Sequence, residues 1–82
     1  MPTVLKVDGF RVMIYTDDHE PAHVHVFKAG CQAIVLLHCP DGPPTLRQNK
    51  GFKDRELCVI YNIMQRNMQL LCATWEDIHV QP

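Results

Sequence analysis

The stretch TVLKVDGFRVMIYT, residues 3 to 16, decides the fold. Apolar and polar residues alternate on either side of Asp8-Gly9, and an Asp-Gly pair between two alternating runs is the strongest short-range hairpin signal. A two-residue loop pairs Val7 with Phe10, Leu5 with Val12 and Thr3 with Ile14. Side chains on a strand point alternately to opposite faces, so Leu5, Val7, Phe10, Val12 and Ile14 share one face, which reads as the core side. Lys6, Arg11, Met13 and Tyr15 take the other. Lys6 opposite Arg11 is an unfavourable like-charge pair unless an anion sits there.

Beyond this hairpin the chain continues as sheet. Residues 16–22 form a polar loop, in which Pro21 fixes the entry to the next strand. HVHVFK (23–28) reads as a third strand, Ala29-Gly30 as a turn and CQAIVLL (31–37) as a fourth strand. A two-residue loop there pairs Val26 with Ala33 and Val24 with Val35 on the core face. His25 with Ile34 and His23 with Leu36 fall on the opposite face. HCPDGPPT (38–45) is a proline-rich loop, TLRQ (45–48) a short edge strand and NKGF (49–52) a turn. From Lys53 the period changes: Leu57, Ile60, Tyr61, Met64, Met68, Leu71 and Trp75 follow helical spacing. Asp54 and Glu56 suit the positive end of a helix dipole. Asn67 interrupts the pattern and is placed to cap a second helix, so two helices with a bend near Asn67 are expected, ending near Ile78. The Met64 and Trp75 stripe reads as core rather than a cofactor box. The expected fold is α+β: a small antiparallel sheet of about four strands with one or two C-terminal helices packed on one face. It forms a single domain over 1–82, with a sheet portion at 1–48 and a helical portion at 53–78.

Composition narrows the function classes. Apolar residues make up 46 % of the chain and charged residues 21 %, too apolar for disorder. A chain of 82 residues buries a modest share of its surface, so a partner or self-association would add stability. No basic region leads into an apolar run, and the longest strictly apolar run is Ala33 to Leu37, so neither a signal peptide nor a membrane span is expected. The expected location is cytoplasmic. The cysteines Cys31, Cys39, Cys58 and Cys72 have no close ligand spacing, and Cys58 and Cys72, in apolar helical patterns, read as buried free thiols. Net charge is −1, which argues against a general nucleic-acid coat. The charge is uneven, however: Arg47, Lys50, Lys53 and Arg55 face one anion, Asp54, within nine residues. That segment is either a solvated loop and helix start or an anion contact, with Lys50 and Lys53 as binding candidates.

The segment DDHEPAHVHVFKAG (17–30) carries the candidate site. It holds three of the five histidines, His19, His23 and His25. His23 and His25 stand at i and i+2 and project from one face of their strand. Three uses fit. A metal ion can be held by the two imidazoles with a loop residue among Asp17, Asp18, His19 and Glu20. No metal is favoured; if one binds, His19, His23 and His25 are the expected ligands. Acid–base cleavage of RNA can use His23 and His25 as base and acid, with His19 or Glu20 orienting one ring and Arg11 and Tyr15 contributed by the neighbouring hairpin. Otherwise the rings cap the sheet, bond the acidic loop and serve an interface. No cofactor is expected.

The sequence resembles a known family. Residues 1–30, NKGF at 49–52, Glu56-Leu57 and the Asn67 to Trp75 ending look like the small bacterial domain-of-unknown-function family numbered 4160. The most specific piece is D-H-E-P-x-H-V-H-V, in which His19, Glu20, Pro21, His23 and His25 match the signature. Ala22 departs from the proline common there, and Cys31 and Cys39 are particular to this chain. The resemblance implies a small protein partner encoded nearby and a toxin–antitoxin-type role. It supplies no activity. The leading expectation is therefore a toxin–antitoxin-type protein acting on RNA through the His23/His25 face. The alternatives are a non-catalytic protein-binding module, antitoxin-like or inhibitor-like, and a metal-binding domain.

Overall fold

The computed structural model describes residues 3–79. Five strands, β1 (Thr3–Val7), β2 (Phe10–Met13), β3 (His23–Lys28), β4 (Cys31–Leu36) and β5 (Thr45–Lys50), form one antiparallel sheet in the order β1-β2-β3-β4-β5. Two helices, α1 (Asp54–Arg66) and α2 (Met68–His79), follow. The fold is α+β, with five strands where about four were expected; the fifth is the edge strand expected at 45–48, here six residues long.

Local chemistry accounts for the tight turns. Asp8 and Gly9 have φ of 52° and 83°, and Ala29 and Gly30 have φ of 50° and 81°. Two successive positive values match the right-handed twist of the flanking strands. Both hairpins close as expected, pairing Val7 with Phe10 and Leu5 with Val12, and pairing Val26 with Ala33, Val24 with Val35, His25 with Ile34 and His23 with Leu36. Thr3 pairs with Met13 rather than Ile14, because the register slips between Thr3 and Leu5. The extra length of the sheet lies in β5, which reaches Lys50 and pairs with β4 through an irregularity between Ile34 and Val35. Asn49 and Lys50 are strand rather than turn. Asn49 ends the strand by gripping Phe52, donating from Nδ2 to its carbonyl and accepting from its N–H, each at 3.0 Å.

Phe10, Val12, Ile14, Val24, Val26, Ala33 and Val35 of the sheet side meet Ile60, Met64, Met68, Leu71 and Trp75 of the helices in one apolar core. Tyr61, expected on the stripe, is 42 % exposed and accepts a bond from Gln65 Nε2 instead. The helical period places residues 60 and 64 inward, and residue 61 stands about 100° around from 60. The break falls at Asn67, but its side chain serves the first helix, donating from Nδ2 to the Ile63 carbonyl at 2.8 Å, while its own carbonyl accepts from the Leu71 N–H.

The cysteine expectation needs correction. Cys72 is bonded to Cys39 in a disulfide, with Cα atoms 5.8 Å apart, and Cys58 is free but exposed. The loop after β4 folds back against α2, which helical spacing alone does not reveal. Among the described residues, no helix is long and apolar enough to cross a membrane.

Candidate functional site

Strand β3 sorts its side chains by alternation. Val24 and Val26 are fully buried in the core, and His23 and His25 point to the other face. That face is not open, as the sequence led us to expect. The exposure of His23 is 8 % and that of His25 is 7 %. The loop between β2 and β3 covers them. The Tyr15 ring stacks on His25 with centroids 4.1 Å apart and planes 16° from parallel. His23 sits between His25, at 5.2 Å edge to face, and the indole of Trp75, at 5.4 Å.

Asp18 organises the cluster. Its N–H donates to the Tyr15 carbonyl at 3.1 Å, and its Oδ2 accepts from the Tyr15 N–H at 3.2 Å. This reciprocal turn, a local habit of Asp, aims the carboxylate back at the strand. Oδ2 lies 3.1 Å from His25 Nε2 and 3.4 Å from His23 Nε2. Among the described residues, these two contacts are the ion pairs within 4.0 Å.

The proton positions follow from the partners. His23 Nδ1 lies 2.9 Å from the Pro21 carbonyl, which can only accept, so Nδ1 carries the hydrogen. Neutral His23 therefore presents a lone pair from Nε2 to the lone pairs of Asp18. Two lone pairs at that range repel unless a proton or a metal ion lies between them. His25 Nε2 can donate to Asp18, which leaves the buried His25 Nδ1 without a hydrogen-bond partner.

The other expected site residues are dispersed. Tyr15 joins the rings, but through stacking. Arg11 is exposed on β2 opposite Phe27 and Lys6, where it lines a separate hollow with Lys6 and Lys28. His19 is exposed and stands outside the Asp18–His23–His25 group; Asp18 occupies the place expected of it. Glu20 Oε1 accepts from Trp75 Nε1 at 3.2 Å and ties the loop to α2. A cavity of about 700 Å³ opens beside that contact, lined by Glu20, His38, Cys72, Trp75 and His79, and neither ring of the cluster faces it. Lys50 ends β5 and Lys53 precedes α1, both exposed. The Lys53 N–H donates to Glu56 Oε1 at 3.0 Å. The sequence offers Asp18 as one of four loop candidates without marking it as the hub, and it does not show Trp75 as a wall of the site. The three-residue spacing from Tyr15 to Asp18 was the available signal for the first.

No curated protein and no solved structure matches the chain. The family model of a domain of unknown function, DUF4160, matches residues 9–76, a span that holds the β2–β3 loop, the histidine strand and Trp75, and the chain belongs to that family.

Proposed function

We propose that this chain is the partner-binding member of a two-protein, toxin–antitoxin-type system, and that its β5 edge receives an acidic, extended segment of a small protein encoded beside it. The observation that carries the reading is the edge itself. All six residues of β5 are exposed, and Leu46 keeps 48 % of its surface. An edge strand offers unpaired backbone groups to an added strand. Residues 45–53 hold three cations, Arg47, Lys50 and Lys53, and no anion. Among the described residues none of the three is paired with a carboxylate. Two such edges repel each other, whereas an acidic segment is attracted.

Binding is favoured over catalysis by the state of the histidines. Acid–base attack on RNA needs rings that reach a phosphodiester and a cation at the developing charge. Here the rings are covered, and Arg11 lies in another hollow. A strand-edge RNA site would also want exposed aromatic platforms, and the one aromatic among residues 45–53, Phe52, is 5 % exposed. The reading places the protein in the cytoplasm, where the Cys39–Cys72 pair would be held reduced.

Co-expression with the neighbouring small protein, tagged on that partner, tests the reading. The native chain is expected to co-purify, and a variant carrying Arg47→Glu, Lys50→Glu and Lys53→Glu is expected to be lost. Failure of the native chain to co-purify refutes the reading. Recovery of RNA with the native chain, in place of protein, transfers the edge to nucleic acid.

A further inference from the structure

We propose that Asp18, His23 and His25 form a binding site for a divalent transition-metal ion of the zinc class, held by Asp18 Oδ2 and the Nε2 atoms of both rings. This goes beyond the partner reading and does not depend on it.

The clustering of the three donors carries the site, and the tautomer and outer support of His23 agree with it. Four donors at the usual zinc distance of about 2.0–2.1 Å stand about 3.3–3.4 Å apart at the corners of a tetrahedron. Asp18 Oδ2 lies 3.4 Å from one Nε2 and 3.1 Å from the other, and the three donor atoms are within 4.8 Å of one another. A charge-assisted bond between imidazolium and carboxylate would close to about 2.7–2.9 Å. The 3.4 Å separation at His23 Nε2 is that of two ligands around a shared ion, and the 3.1 Å contact at His25 Nε2 is a hydrogen bond that the ion would replace. The tautomer agrees: the Pro21 carbonyl takes the Nδ1 hydrogen of His23 and turns the bare Nε2 inward. A backbone carbonyl on the far nitrogen is the usual support for a metal-bound histidine, and ligating carboxylates are themselves hydrogen-bonded, as Asp18 is by the Tyr15 N–H. His25 Nδ1 lacks such a support, and its ring is oriented by stacking on Tyr15 alone.

Two nitrogens and one carboxylate oxygen leave at least one coordination position open. All three side chains are about nine-tenths buried, Asp18 being the most exposed at 13 %. The least covered side of the cluster is therefore that of the β2–β3 loop. His19 is not a ligand.

The test is zinc titration of chelator-treated protein by calorimetry, with His25→Phe to remove one donor while keeping a ring on Tyr15, and His19→Ala as the control. The native chain and His19→Ala are expected to take up one equivalent with equal affinity. In His25→Phe the affinity should fall by more than about 100-fold, beyond what loss of an outer support alone produces. Absence of uptake by the native chain leaves an ion pair only and overturns the proposal, as does equal uptake by a folded His25→Phe. Where that variant fails to fold, proton NMR of the native chain decides. Ring signals of His23 and His25 that shift to saturation at one equivalent, with His38 and His79 unmoved, support the site. The reverse pattern refutes it.

Discussion

Trp75→Ala probes the joint between core and histidine cluster. The indole is 5 % exposed, lies against the His23 ring, stacks on His79 at 3.8 Å and donates from Nε1 to Glu20 Oε1. Truncating a buried tryptophan costs about 3–5 kcal/mol through lost burial and the cavity left behind. At roughly 0.05–0.15 kcal/mol per residue, a chain of this size has a total stability of only about 4–12 kcal/mol. The variant should lose about a quarter or more of its stability. The polar contact contributes less. Glu20 is exposed, so Glu20→Ala leaves the indole N–H within reach of water and should cost no more than about 1 kcal/mol. Urea unfolding followed by far-ultraviolet circular dichroism measures both. The single tryptophan reports the Glu20 variant by fluorescence as well. A Trp75→Ala loss below about 1 kcal/mol would refute the placement of this residue between α2 and β3, since surface truncations fall in that range. A Glu20→Ala loss as large as that of Trp75→Ala would show that the hydrogen bond, rather than packing, holds the loop.

Other outcomes follow from single features. Ala29 sits at φ 50° before Gly30, a conformation that Asn adopts at little cost, so Ala29→Asn should stabilise the β3–β4 hairpin by about 1 kcal/mol, read as a raised denaturation midpoint. Reducing Cys39–Cys72 opens a loop of sequence separation 33, and the chain-entropy relation gives a loss of about 3.5–4 kcal/mol, measured by unfolding with and without reductant. No loss would show that the bond does not form in solution. Asn67→Ala removes the donor to the Ile63 carbonyl and should cost about 1 kcal/mol in thermal unfolding, with helix content little changed.

Local patterns were legible in the sequence, and contacts across loops were not. Asp8-Gly9 and Ala29-Gly30 announce their hairpins because two positive φ values and a period of two are properties of neighbouring residues. The pairings Val24–Val35 and His25–Ile34 follow from loop length alone. The helix break at Asn67 shows as a break in period, yet the helix its side chain serves depends on backbone direction there. The full length of strand β5 is not legible in the sequence, because its residues are exposed on both faces and alternation has no core side to mark. His19 and Asp18 are adjacent, and which of them turns inward is decided by the Tyr15–Asp18 turn, which has no period. The Cys39–Cys72 contact arises from the path of a loop, and residue spacing carries no record of it.

Docking of a partner on the β5 edge can be read from amide hydrogen exchange of the chain alone and in complex with the neighbouring small protein. Edge-strand amides exchange readily when free and are protected when a further strand pairs with them. Protection on binding is expected to concentrate in residues 45–50 and to fade as salt screens Arg47, Lys50 and Lys53. Protection confined instead to the Tyr15–His25 loop and strand, with residues 45–50 unchanged, would contradict it.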